Sequence, residues 1–343
     1  MYNRPSGVRG LVFGGLMAAL VVVCALVPFL SLFMPIPLVL VYVRYGGRVS
    51  VLAAIVATLF AMMFVGPIQA FLLLVPGGIL PGMVFGYGFR HKLKPLTIGL
   101  VAVVVFFLGF AGAYSVTRAL VLGGRDPLAD ALQTEPLKSM FDNLYGQLEQ
   151  MYASRPAKTD AERQANEFQV QTIREIRQHP VETAWVVLPS GLFLFGAFSA
   201  WLNYMLSRAV LPRFGHPIPA PTPLQEFRLP TWSVWVFAIA TFATARVATQ
   251  PSIINAPWWV QVLLNVVTPI QFIFVLVGIA AAYGFMRKKE LSKAISSVII
   301  LAAFFVLGLG MAVQVFVILA MWDTIFDFRG LGHGLFRRRE EHP

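Results

Sequence analysis

The chain has 343 residues, of which 57% are hydrophobic and 13% charged, with a mean hydropathy of +0.72. A water-soluble domain of this length could not hide so much apolar surface, so a bilayer must be part of the solvent. A net charge of +11 would point to nucleic acid in a soluble protein, but in a membrane protein an excess of Lys and Arg is first a signal of topology, and the single cysteine, Cys24, excludes a disulfide framework or thiolate metal site.

Apolar runs of roughly 17–25 residues, the length a helix needs to cross a bilayer, recur from Leu11 to the C-terminus. They are continuous rather than alternating, which argues against a β-barrel. Spans are expected at 9–28, 33–43, 50–65, 67–89, 96–118, 183–207, 231–248, 258–286, 291–307 and 311–327. The first follows a short basic region with Arg4 and Arg9, as a secretory signal would, but no small-residue cleavage site follows before Met34, so it is read as uncleaved. Its Gly14, Gly15, Ala18 and Ala19 offer a close-packing face, for internal packing or for docking a partner subunit. The second span, opened by Pro35 and Pro37, is short. The last apolar block, Leu291 to Asp327, is read as a hairpin turning at Gly308 and Gly310.

Between the fifth and sixth spans lies a polar stretch. After Pro136, Leu137, Met140, Phe141, Leu144, Tyr145, Leu148, Met151 and Tyr152 recur at helical spacing, predicting an amphipathic helix resting on the bundle through Leu144, Leu148 and Met151. Thr159 and Glu162 form a capping-box signature for a second helix carrying Phe168, Ile173 and Ile176. The pair reads either as a linker packed on its own bundle or as a lid over a vestibule.

Basic residues sort by side. Of the 27 Lys and Arg residues, 18 fall in the connections and ends assigned to one face, whereas those near Met34, Gly66, Gln250 and Gly308 carry none; the exception is the stretch from Arg118 to Glu182, with 8 basic and 10 acidic residues, a length that follows charge weakly. Positive charge stays in the cytoplasm, so both termini are placed there. The expected fold is an all-α integral membrane protein of about ten transmembrane helices with an outer-facing helical insertion. Its parts are an N-terminal five-span half (1–120), the extracytoplasmic insertion (121–182), a C-terminal five-span half (183–327) and a basic cytoplasmic tail (328–343). Arg337 to Arg339 in that tail read as a topology anchor and a contact for anionic lipid.

The layout and the ending Trp322-Asp323-Thr324-Ile325-Phe326-Asp327-Phe328-Arg329 resemble the YybS-like family of bacterial membrane proteins. Gly14 to Ala25, the short span after Pro35-Ile36-Pro37 with Arg44 and Gly46-Gly47, and Pro76-Gly77-Gly78 to Gly88 also make the first 120 residues similar to substrate-binding membrane subunits of energy-coupling-factor transporters. Those subunits are smaller and lack the insertion and the later spans, so no substrate carries over. The resemblances imply a bacterial cytoplasmic (inner) membrane protein.

Several residues could carry function. In the fourth span, Val75-Pro76-Gly77-Gly78 and Pro81-Gly82 interrupt one crossing and would free carbonyls near Pro76 and Gly77, as a transport site or as a kink filled by neighbours. In the eighth, Gln261, Asn265, Thr268 and Gln271 share one face beside Pro269, and Ser199 and Asn203 do so on the sixth; each stripe is either interhelical glue or a substrate lining. A substrate cavity is expected where Pro76 and Gly77 face Asn203, Asn265, Thr268 and Gln271. Its uncharged lining suits a neutral or zwitterionic ligand. Arg118 and Arg246, near outer span ends, either snorkel to the headgroups or clamp an anionic group. Asp323 and Asp327, four apart on the last span, either relay protons or bind a cation, or else form an ion pair with Arg329 or with basic loop residues.

There is no Walker loop, no HExxH and no GxSxG, and the histidines are scattered. No enzyme activity, cofactor, metal or nucleic-acid partner is expected. The sequence therefore predicts a small-molecule binding or transport protein, a permease-like subunit with no ATPase of its own. The alternative is a non-transporting scaffold or assembly factor acting through helix packing and the outer insertion.

Overall fold

A computed structural model describes residues 7–135, 137–221, 223, 226–227, 229–247 and 256–329. Arg4, Arg228, the Gln250 connection and Arg337 to Arg339 fall outside these residues. All regular structure among the described residues is helical. In chain order the α-helices are α1 (Gly7–Leu26), α2 (Pro35–Tyr45), α3 (Gly47–Val65), α4 (Pro67–Leu74), α5 (Leu80–Arg90), α6 (Pro95–Val116), α7 (Pro127–Gln133), α8 (Leu137–Ala153), α9 (Asp160–Gln178), α10 (Pro180–Val210), α11 (Trp232–Val247), α12 (Trp258–Lys288) and α13 (Lys293–Phe326). Pro35, Pro67, Pro95 and Pro127 each stand first in a helix, where a missing amide costs no hydrogen bond.

Among the described residues, six helical stretches are long and apolar enough to cross a membrane: Gly7–Leu26, Gly47–Val65, Pro67–Arg90, Pro95–Val121, Pro180–Phe214 and Trp258–Lys288. Four shorter apolar ones are Phe29–Tyr45, Trp232–Thr244, Lys293–Gly308 and Gly310–Phe326. Length alone thus qualifies six of the ten expected spans.

Contacts divide the chain into two compact units, Met1–Leu144 with Gly191–Pro221, and Tyr145–Ser190 with Thr222–Pro343. In the first, the small face of α1, with Gly14, Ala18 and Val21, meets Ala53, Ala54, Ala57 and Ala61 of α3 in one core cluster. Gly78, Gly82 and Gly86 each face a residue of the α2 segment at the same interval of four, respectively Met34, Leu38 and Tyr42, so the two segments run parallel in close contact. A second cluster joins Val39 and Val43 of α2, Phe85 of α5, Ile98 and Ala102 of α6, and Tyr204 of α10.

The fourth span is not broken. A π-helical turn, Val75–Ile79, joins α4 to α5, and its flanking residues keep right-handed helical dihedrals. Two prolines five residues apart, Pro76 and Pro81, are absorbed by a wider turn, in which the Leu80 amide bonds to Val75 rather than to Pro76.

In the second unit Phe237 of α11 stacks on Phe274 of α12, with ring centroids 4.6 Å apart. α13 folds back on itself at Gly308, whose φ of 73° and ψ of 158° suit only glycine. Phe304 and Phe316 flank that turn with centroids 5.2 Å apart, whereas twelve residues of straight helix would separate them by about 18 Å. At the far end Arg329, its side chain 5% exposed, donates from Nη2 to Asp323 Oδ2 at 2.6 Å and to the Phe227 carbonyl at 3.0 Å. Asp323 therefore forms an ion pair, while Asp327 takes a left-handed conformation at the helix end.

The insertion is helical, with α9 capped by the reciprocal Thr159 and Glu162 bonds. Glu149 of α8 accepts from Arg174 Nε at 2.6 Å and Arg177 Nη1 at 3.0 Å, which ties α8 to α9. On the apolar face of α8, Leu148 is half-buried. Leu144 and Met151 are 52% and 53% exposed.

Candidate functional site

In the first unit, α10 turns Ser199, Asn203 and Ser207 to one side at successive intervals of four. Asn203 is 1% exposed and Ser207 is fully buried. Asn203 Nδ2 donates to the Leu32 carbonyl at 3.0 Å and the Ser199 carbonyl at 2.9 Å. Its Oδ1 and the Ser207 hydroxyl meet no hydrogen-bonding partner among the described residues. Leaving one buried polar atom unpaired costs about 1–3 kcal/mol. Ser207 stands one helical turn from Asn203, on the same face of α10.

Leu32 links this pair to the π turn. Two residues on, Met34 lies against Gly77 and Gly78, with its Cβ 3.1 Å from where a Gly78 Cβ would stand. Pro76 is buried on the other side against Gly109, where an added Cβ would lie 3.4 Å from Pro76 Cα. Pro76, Gly77 and Asn203 thus share one unit, with the Leu32–Met34 segment between them.

Asn265, Thr268 and Gln271 belong to the second unit. Asn265 Nδ2 donates to the Val186 carbonyl at 2.6 Å and the Gln261 carbonyl at 2.8 Å, and its Oδ1 accepts from the Ser190 amide at 2.9 Å. The whole amide is engaged by backbone. Gln261 donates to Ala256 O at 3.2 Å. Thr268 is exposed and its hydroxyl returns to Leu264 O at 2.8 Å, while Gln271 is half-buried.

Arg118 lies in a second π turn, Thr117–Val121, and is exposed; its Nε donates to Gly124 O at 3.1 Å, bracing the chain as it leaves the helix. Arg246 falls in the last turn of α11, outside the residues whose side chains are described. Sequence reasoning missed Ser207, although its interval of four from Asn203 was the available signal. Among the described residues, no three His, Cys, Asp or Glu side chains are grouped to hold a metal ion.

Residues 15–324 match a family described as predicted membrane protein, DUF2232, and the chain belongs to that family. No curated protein and no solved structure matches the chain.

Proposed function

Taking membership of a family of membrane proteins as the premise, we propose that the chain binds or transports a small molecule across the bacterial cytoplasmic membrane, as a permease-like subunit with neither ATPase nor other enzymatic activity of its own. The observation that carries this reading is the buried Asn203 and Ser207 pair, two polar atoms with no hydrogen-bonding partner among the described residues, in a largely apolar helical core. Membrane cores keep such groups where they meet a substrate or a water. A neutral or zwitterionic ligand suits an uncharged site. In this reading all ten apolar segments cross, both termini are cytoplasmic and residues 121–182 lie outside. The YybS-like ending and the likeness of the first 120 residues to energy-coupling-factor binding subunits support it, and that likeness favours a partner that supplies energy.

A scaffold or assembly role is the second reading. The Asn265 amide favours it, because the most conspicuous polar residue of the α12 stripe is fully engaged by backbone. Native mass spectrometry of protein purified in mild detergent separates the two. The transport reading expects a small-molecule adduct that Ser207→Ala weakens without lowering folded yield, since that hydroxyl has no partner to lose among the described residues. No adduct on the wild type, or one indifferent to both Ser207→Ala and Asn203→Leu, would leave the scaffold.

A further inference from the structure

A groove of about 590 Å³ runs between α12 and the first half of α13. Its walls are Ile279 and Tyr283 from α12 and Ser297, Ile300, Leu301 and Phe304 from α13. Apolar carbon covers most of it, and Leu301 is 58% exposed, so the groove opens on the surface of helices apolar enough to lie in a bilayer. Its volume falls within the roughly 300–1,000 Å³ of small-molecule sites.

Polarity changes along the groove in one direction. On α13, Lys293, Ser297, Ile300, Leu301 and Phe304 recur at intervals of four, three, one and three, which places the Lys293 ammonium at one end of the lining face. On α12, Ile279, Tyr283 and Arg287 recur at four and four. Arg287 Nη1 donates to the Leu291 carbonyl at 2.6 Å, which holds the guanidinium at the α12–α13 turn. Moving toward that turn, the lining passes from hydrocarbon to two hydroxyls, Tyr283 and Ser297, and the two exposed cations Arg287 and Lys293 stand four residues beyond them, outside the lining itself. The turn also carries Lys288, bonded to the Phe328 carbonyl at 3.1 Å, Lys289, 5.9 Å from the Phe285 ring centroid, and one acid, Glu290. Four cations against one anion leave the turn strongly positive.

This succession of hydrocarbon, hydroxyl and cation is the order of groups along a glycerophospholipid. We propose that the groove holds an acyl chain of a phospholipid with a net anionic headgroup, the glycerol ester region beside Tyr283 and Ser297 and the phosphate between Arg287 and Lys293. Basic sites between helices near a membrane surface recognise anionic headgroups, and the apolar groove fixes where that lipid sits. The assignment is independent of any substrate bound near Asn203.

The test uses the full chain in mild detergent, loaded from mixed micelles with phosphatidylglycerol or phosphatidylcholine at equal concentration, with retained lipid counted by native mass spectrometry. A basic side chain near an anionic headgroup is worth roughly fivefold in binding. Lys293→Gln, on an exposed side chain, should weaken phosphatidylglycerol retention by about that factor, and Arg287→Gln with Lys293→Gln by more than about tenfold, with phosphatidylcholine unchanged. Leu301→Trp, which fills the groove and spares the cations, should lower retention of both lipids. Equal retention of the two lipids by the wild type overturns the proposal, as does phosphatidylglycerol binding indifferent to Lys293→Gln or Leu301→Trp. Displacement of the lipid by inorganic phosphate would also overturn it, since the site would then be a simple anion site.

Discussion

Asn265 of α12 and Ser190 of α10 meet where α10 is weakest. Pro189 has no amide to continue the helical ladder. One residue on, the Ser190 amide donates to Asn265 Oδ1 at 2.9 Å, and Asn265 Nδ2 donates to the Val186 carbonyl at 2.6 Å. Val186 and Ser190 are four apart, the donor and acceptor that an uninterrupted helix would bond to each other, so the carboxamide bridges them as a peptide group would. Such an insertion is a recognised cause of a helix kink. Asn265→Leu should therefore cost about 1–3 kcal/mol of stability by leaving both groups without this partner. Reversible unfolding in mixed micelles measures it. Thr268→Val, whose hydroxyl bonds within its own helix, should cost under about 0.5 kcal/mol. Equal stability of Asn265→Leu and the wild type would show that α10 closes without the bridge.

The α8–α9 pair should loosen in acid. Glu149 is held below its ordinary value of 4.5, first by the hydrogen bond from Arg174, which outweighs the opposing desolvation, and then by the bond from Arg177 and the charges of both guanidinium groups. A carboxylate with a depressed folded value stabilises the fold above its unfolded value, and this contribution fades as pH falls through the folded one. The hairpin should thus be intact at neutral pH and open as pH drops below 4.5. Spin-label distances between positions 147 and 171 can follow it. Glu149→Gln should widen the pair at neutral pH and flatten the pH response; a response that survives in Glu149→Gln would move the cause to another acid.

Close approach of α12 to the second half of α13 depends on Gly278. A Cβ there would run into the Phe316 carbonyl, which is backbone and cannot swing aside. Gly278→Ala should therefore push the helices apart at a cost of about 1–3 kcal/mol or more. Gly99→Ala makes the contrast, since a Cβ on Gly99 meets nothing within 4 Å. A helix-interior glycine replaced there should gain about 0.5–1 kcal/mol. Thermal unfolding of both variants in the same detergent checks the opposite signs.

What the sequence made legible is what one chain segment determines by itself. The apolar runs declared their helices because backbone in lipid has few alternatives, and Gly308 marked the turn in α13 because the fold-back needs a conformation that glycine alone adopts at little cost. The Thr159 and Glu162 cap is equally local. Partners in space were not legible. Pro76 and Pro81 read as breaks, yet a π turn and close contact with Met34 keep the helix continuous. The spacing of Asn265 gave its face, but nothing in that spacing reveals that it meets the helix beside a proline more than seventy residues earlier. α7 went unread although Asp126, which accepts from the Leu128 amide at 2.8 Å, and Pro127 form a start signal; seven residues are too few to show a period.

Topology is the remaining expectation, and charge and length bear on it differently. Eighteen of 27 basic residues fall on one assigned side, a bias that favours ten crossings with both termini inside. Length is less generous: Lys293–Gly308 spans about 24 Å at the helical rise, against a hydrocarbon core of about 30 Å. Two short crossings with snorkelling ends would keep Lys289 and Arg329 on the same side and expose the Gly310 turn on the other, whereas a hairpin that dips and returns would keep Gly310 from both aqueous faces. Labelling of single cysteines in intact cells distinguishes them, after the one native thiol, buried Cys24, is replaced by Ala. Cysteines at Lys92, Arg213 and Lys289 should resist an impermeant maleimide until the cells are opened. Those at Gln147 and Gly310 should react at once. Reaction at position 289 in intact cells would invert the last two crossings and sink the ten-span arrangement, and protection at position 310 in both intact and opened cells would reduce it to eight crossings with a re-entrant hairpin.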